Sequence, residues 1–307
     1  MTLTWSHMGA RLCVVEIEKM RGLPTACTTP ATDGMVVHTE TSAVNNVRRT
    51  AIDLFLADHP MDCLTCPKNQ RCDLQKVAAY LGINERRLPR TERSLPIDTS
   101  NPFFNLDRNY CILCGKCVRT CDEVTVINAI ELVDRGYPSR VSPFGDKPLL
   151  ESICQSCGEC VVRCPVNALM LKDAITPTRE VATICPYCGV GCGMYLGIRG
   201  DRIVSVWGDR ENPASKGRLC VKGRFGISEF VHHSERLTSP LIKRNGEFTE
   251  VTWDEALDLV ASKLASYSGD RVAVISSAKC TNEDNYIAQK FCRAVLGTNS
   301  IDHCARL

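Results

Sequence analysis

Aromatic residues make up only 6 % of this 307-residue chain, too few for a large aromatic core. No stretch approaches the roughly 18 consecutive apolar residues of a membrane-spanning helix. The opening "MTLTWSHMGARLCVVEIEK" has no basic segment followed by an apolar run and a small-residue cleavage site. A cytoplasmic chain with no membrane insertion is therefore expected. Charge is also nearly balanced: a net +2, with no basic stripe interleaved with aromatics, removes the electrostatic case for nucleic acid. What the chain has in excess is cysteine, 20 in all. In a reducing compartment disulfides are rare, and clustered thiols point to metal.

The most specific signal is an internal repeat. "CILCGKCVRTCD" from Cys111 and "CQSCGECVVRCP" from Cys154 are both C-x2-C-x2-C-x3-C, offset by 43 residues. That run is the one bacterial two-cluster ferredoxins use, in which the fourth thiolate reaches the other cluster. The spacing predicts one 4Fe-4S centre on Cys111, Cys114, Cys117 and Cys164, and a second on Cys154, Cys157, Cys160 and Cys121. Gly115 and Gly158 suit loops where backbone passes close to inorganic sulfur. C-x2-C is also zinc spacing, but eight thiolates in two tight runs suit two cubanes better than tetrahedral zinc.

Two further groups flank the repeat. Upstream, "HPMDCLTCPKNQRC" places His59 before Cys63, Cys66 and Cys72; a lone His is more often a surface or core residue, but three nearby cysteines reverse that expectation. Downstream, Cys185, Cys188 and Cys192 precede Cys220, and the alternating stretch "MYLGIRGDRIVSVWGD" between them reads as a hairpin that returns Cys220 to the first three. Spacing alone leaves either group open to zinc. Lys222 is either a solvated lysine or an ammonium beside the last cluster, able to act as an electron relay to a neighbouring redox group.

From Leu237 the pattern changes. Thr252 and Glu255 predict a capping box before the helical "WDEALDLVASKL". "RVAVISS" reads as a short strand, "TNEDNYIAQKFCRAVLG" as a helix ending at Gly297, and "SID" as the entry to the next strand, one βαβ unit of a parallel α/β domain. Cys280, Cys292 and Cys304 read as small buried thiols.

In this order, the motifs resemble the amino-terminal half of the catalytic subunit of cytoplasmic molybdenum- or tungsten-dependent formate dehydrogenases. "RLCVVEIEKMRGLPTACTTPATDGMVVHTET" is similar to the second half of the 2Fe-2S ferredoxin domain shared with the large iron–sulfur subunit of complex I. The one-His, three-Cys motif is similar to the next domain of that subunit. "ICPYCGVGCG" with "NPASKGRLCVKGRFG" resembles the cluster domain that opens molybdopterin oxidoreductases, and "SSAKCTNEDNYIAQKFCRAVLGTNSIDHCARL" resembles formate dehydrogenases more than nitrate reductases.

The resemblance implies an α+β multidomain iron–sulfur protein. Its segments would be a remnant β-grasp 2Fe-2S domain at 1–49, a one-His/three-Cys domain at 50–100 and a dicluster ferredoxin domain at 101–178. A molybdopterin-type 4Fe-4S domain at 179–236 and the truncated start of an α/β pterin-binding domain at 237–307 would follow. A plant-type 2Fe-2S site needs four thiolates, and the resembled pattern C-R-x-C has Ala10 where its first cysteine would stand. Cys13 and Cys27 are thus residual ligands, which leaves 15 Cys plus His59 for four 4Fe-4S clusters. The implied activity is formate oxidation to carbon dioxide, or the reverse, with electrons relayed toward a flavin-containing NAD(P)-reducing subunit, a hydrogenase subunit or a ferredoxin. In the full-length family the metal is molybdenum or tungsten on a bis-pterin guanine dinucleotide. The motif ending "CARL" is followed in that family by a selenocysteine or cysteine metal ligand. No catalytic residue is therefore expected within the chain. The ligand is expected immediately after Leu307, with an undecoded UGA codon or a frame artefact there and no activity from the chain alone.

Overall fold

The computed structural model describes residues 12–267 and 269–305. The expectations placed on Ala10 and on Leu307 fall outside those residues. The chain divides into two compact units, Met1–Asp173 and Ala174–Leu307.

In the first unit, strands β1 (Glu16–Ile17) and β2 (Val37–His38) pair antiparallel. Helix α1 (Ser42–Asp58) follows, capped by the Thr41 hydroxyl, which accepts from the Val44 N–H. Arg48 ties this helix back to the preceding loop, donating to the carbonyls of Leu12, Val14 and Thr39. Helix α2 (Asp73–Tyr80) starts directly after Cys72.

The ferredoxin-like part is built on β3 (Phe104–Leu106), which pairs antiparallel with β6 (Leu169–Leu171) across the whole repeat. Between them lie α3 (Lys116–Arg119), the β4 (Glu131–Val133) and β5 (Arg140–Ser142) hairpin, and α4 (Glu159–Arg163). Helix α3 runs on into a π-helical turn, Thr120–Val124, that contains Cys121. Phe104, Leu106, Val141, Leu149, Val166 and Leu169 form the apolar filling, each at most 5 % exposed.

The second unit opens with an antiparallel sheet of β7 (Arg179–Ile184), β8 (Gly193–Arg199) and β9 (Arg202–Gly208). The β8–β9 pair is the hairpin that the alternation predicts. Its core joins Cys185, Met194, Val206, Leu219 and Ile227. A π-helical turn, Lys222–Gly226, leads into α5 (Ile227–Val231). A second hairpin, β10 (Leu241–Arg244) with β11 (Glu247–Glu250), precedes α6 (Trp253–Ala265). Then β12 (Val274–Ser276), α7 (Asn282–Ala294) and β13 (Ile301–His303) make one βαβ unit whose two strands are parallel, as the pattern predicts.

Two local expectations need correction. Thr252 accepts from the Glu255 N–H, but the Glu255 carboxylate turns away to Arg244, so only half a capping box forms on α6. The complete box is on α7, where Thr281 and Asp284 bond reciprocally. Of the three late cysteines only Cys292 is buried, its thiol donating to the Thr298 carbonyl at 3.2 Å. Cys280 is half-buried and Cys304 is exposed; both lie in loops or turns outside the helix that buries Cys292.

Candidate metal centres

The two halves of the cysteine repeat adopt one backbone shape twice. Leu113 and Ser156, each one residue before the second cysteine, have φ of 51° and 55°, and Gly115 and Gly158, one residue after it, have 70° and 74°. Left-handed residues alternating in this way turn successive N–H groups inward, a geometry suited to anionic sulfur. Leu113 N donates to Cys111 Sγ and Ser156 N to Cys154 Sγ, both at 3.4 Å. The glycines, without Cβ, take the positive φ at little cost where another residue would be strained.

The crossing of the fourth cysteine between the two runs is visible in three dimensions. One cavity is lined by Cys111, Cys114, Cys117 and Cys164, together with Val141 and Pro165. The other is lined by Cys121, Cys154, Cys157 and Cys160, together with Leu149 and Glu159. Each quartet therefore takes three thiols from one run and one from the other. Burial pushes the Cys111 thiol up to about 12 and holds those of Cys117 and Cys160 well above the ordinary range, with the neighbouring cysteines adding to the effect. Thiols gathered this closely could ionise only with compensating positive charge, which a bound metal cluster would supply.

The donor set also bears on the identity of the metal. A zinc ion holds four ligands at about 2.3 Å from one centre, which draws their sulfurs to within about 4 Å of one another. Among the described residues, no group of three or more His, Cys, Asp or Glu side chains is gathered tightly enough to hold a single ion. Thiols ringed around a cavity suit a multinuclear cluster.

His59 caps the end of α1, its N–H donating to the Phe55 carbonyl. It is 7 % exposed, and its Nδ1 is buried with no hydrogen-bond partner among the described residues. Burial lowers its pKa, so near neutral pH the ring is an uncharged base with a free lone pair, the form that binds metal. Tyr110 packs edge-on against this ring, centroids 5.5 Å apart, and its hydroxyl donates to Asp62. Burial raises the Cys66 and Cys72 thiols, and Cys63 adds to both. Tyr110 and Asp62 are not signalled by the cysteine spacing. The only hint is that each sits beside a candidate ligand, at Tyr110-Cys111 and Asp62-Cys63.

In the second unit, Cys185 N donates to the Cys192 carbonyl at 2.8 Å, closing the first loop of the group. Burial raises the Cys185 and Cys192 thiols, with Cys188 and Cys220 adding to each, and Leu219, the neighbour of Cys220, shares a core with Cys185. Lys222 Nζ stands 5.8 Å from the centroid of the Tyr187 ring, and its charge acts against the rise at Cys185. At the amino end, Cys13 and Cys27 face each other with Sγ atoms 3.2 Å apart.

Fold and site together define a multidomain iron–sulfur protein of mixed α/β structure. Residues 5–42 match a 2Fe-2S iron–sulfur cluster binding domain, 48–87 the NADH-ubiquinone oxidoreductase-G iron–sulfur binding region, and 110–168 a 4Fe-4S dicluster domain. Residues 178–233 match the molybdopterin oxidoreductase Fe4S4 domain and 236–307 the molybdopterin oxidoreductase domain itself. The chain thus carries, in order, segments matching iron–sulfur domains of the NADH-ubiquinone oxidoreductase-G type and molybdopterin oxidoreductase domains.

Its relatives include a G-type NADH-quinone oxidoreductase subunit of Rhizobium meliloti, 38 % identical over 96 % of this chain and 35 % of the relative. A putative formate dehydrogenase of Staphylococcus aureus is 33 % identical over 96 % of this chain and 34 % of its own length. The alpha subunit of the NADPH-Fe(3+) oxidoreductase of Geobacter sulfurreducens is 36 % identical over 100 % of this chain and 37 % of its own length. The chain thus spans about a third of the length of the curated relatives it matches. Among solved structures, an NAD+-reducing NiFe hydrogenase in the H2-reduced state is 31 % identical, with a TM-score of 0.52 over 57 % of this chain and 74 % of that one. No helix among the described residues is long and apolar enough to cross a membrane.

Proposed function

We propose that this chain is the electron-relay part of a formate dehydrogenase catalytic subunit, with 4Fe-4S clusters on four ligand sets. Cys111, Cys114, Cys117 and Cys164 would hold one, and Cys121, Cys154, Cys157 and Cys160 the second. His59, Cys63, Cys66 and Cys72 would hold the third, and Cys185, Cys188, Cys192 and Cys220 the fourth. When bound, each cluster supplies a one-electron store in a water-poor site. The observation that carries the reading is the pair of cavities with crossed cysteine quartets, because that exchange has a use only if two clusters sit side by side.

The chain's own residues supply the rest. The inward N–H groups of Leu113 and Ser156 stabilise sulfur charge, and the His59 imidazole offers its lone pair. Lys222, beside Cys185, is the proposed relay toward a pterin-bound metal. Cys13 and Cys27 are proposed as residual 2Fe-2S ligands. Formate as the substrate rests on the resemblance of residues 276–307 and on the putative formate dehydrogenases among the relatives. The proposed acceptors are a flavin-containing NAD(P)-reducing subunit, a hydrogenase subunit or a ferredoxin. The proposed location is the cytoplasm.

The test is metal and acid-labile sulfide analysis, followed by formate-dependent dye reduction with the full-length protein. About sixteen irons with matching sulfide supports the ligand assignment, and stoichiometric zinc without sulfide overturns it. Because some relatives are named as NADH- or NADPH-linked, the dye assay is repeated with reduced nicotinamide as donor. Reduction by the nucleotide and not by formate would place the chain in an electron-carrier assembly of that kind.

A further inference from the structure

The two ferredoxin-type sites share a backbone but not a charge. At equivalent positions of the repeat, 43 residues apart, stand Lys116 and Glu159. Lys116 begins α3 directly before Cys117, and Glu159 begins α4 directly before Cys160. Glu159 is 2 % exposed and lines the cavity of its own quartet. Lys116 pairs at 3.7 Å with Asp73.

A second pair of charges repeats the contrast. Arg93, with 4 % of its side chain exposed, donates to the Tyr137 and Ser139 carbonyls just before the β5 residue Val141, which lines the Cys111 cavity. Asp98 accepts from the N–H of Leu149, which lines the Cys154 cavity. The counter-ions of Arg93 and Glu159 are the wetter members of their pairs. Asp58 opposite Arg93 has 26 % of its side chain exposed, and Arg163 opposite Glu159 has 21 %. Water screens these more strongly than it screens their buried partners.

Adding an electron makes a cluster more negative, so a fixed positive neighbour favours the reduced form and a negative one disfavours it. We propose that Arg93 and Lys116 set the Cys111/Cys114/Cys117/Cys164 site at the higher midpoint potential, and Asp98 and Glu159 set its twin lower. A single electron shared by the pair then resides on the Cys111 side. These four are tuning residues that act through charge and need not touch the cluster. The inference rests on the proposed ligand sets.

The experiment is a redox titration of the full chain loaded with iron and sulfide, followed by electron paramagnetic resonance. It compares the natural chain with Lys116→Gln and Asp98→Asn. Lys116→Gln should move one signal to lower potential, and in the natural chain that signal should be the higher of the ferredoxin-type pair. Asp98→Asn should move the other signal upward and leave the first in place. Equal potentials in the natural chain, the reverse order, or a Lys116→Gln shift on the lower signal overturns the proposal. The partly exposed Lys116 keeps the test decisive if Asp98→Asn misfolds. Failure of the ligand assignment is a different result: too little iron and sulfide in the natural chain.

Discussion

The Asp73 backbone N–H donates to the Pro165 carbonyl at 2.9 Å. Asp73 follows Cys72 and Pro165 follows Cys164, so one peptide hydrogen bond joins the neighbours of two candidate ligands 92 positions apart. Lys68 Nζ adds a bond to the Cys164 carbonyl at 3.1 Å, and Tyr110, next to Cys111, packs on His59. The His59 group therefore docks against the Cys111 quartet at both Cys111 and Cys164. Within the first unit the two candidate sites are therefore neighbours.

Replacing one ligand of a crossed quartet should remove one cluster's iron. Cys114→Ser is expected to lower the content from about sixteen irons to about twelve. Inductively coupled plasma analysis of the loaded chain reads this directly, and an unchanged count would remove Cys114 from the ligand set.

His59→Ala should likewise cost about four irons, because three thiolates leave the fourth corner open to water. His59→Cys should retain them, since a thiolate can occupy the same corner. Equal iron in the alanine variant and the natural chain would assign His59 a packing role beside Tyr110.

Alkaline pH should destabilise the metal-free chain. Its Cys111 pKa is raised by burial to about 12, while in the unfolded chain the thiol ionises near 8.5. The folded state therefore holds the proton where the unfolded state has released it. Stability is full below about pH 8.5 and declines as pH rises toward 12. A lower urea midpoint at about pH 10.5 than at about pH 8 in chelator-stripped protein would bear this out; identical midpoints would count against it.

Gly208 at the end of β9 cannot take a side chain. An added Cβ would lie 2.1 Å from the Gly217 carbonyl oxygen, a backbone atom with little room to retreat. Gly208→Ala should cost about 1–3 kcal/mol, read as a lower thermal midpoint. Gly200→Ala, at a turn with open space but φ of 59°, should cost about 1 kcal/mol.

The two crossed cysteine groups that line the cavities were legible in the linear chain because the repeat offsets them by a fixed spacing, with a loop of two residues between successive thiols. The β8–β9 hairpin and the βαβ unit were equally legible from alternation and helical period. The α7 capping box was missed because its third residue is Asp284 where Glu or Gln is usual.

What the linear chain determined was which side chains can bind metal, since that depends on residue type and local reach. Lys116 and Glu159 stand beside their cysteines in the linear chain, but tertiary structure alone decided that Arg93 lies toward one quartet and Asp98 toward the other. Arg93, Asp98 and Tyr110 lie outside the cysteine spacing, and they reach their sites only through the folds of the loops that carry them. Their effect depends on burial and distance in a low-dielectric interior, quantities that have no counterpart in residue order.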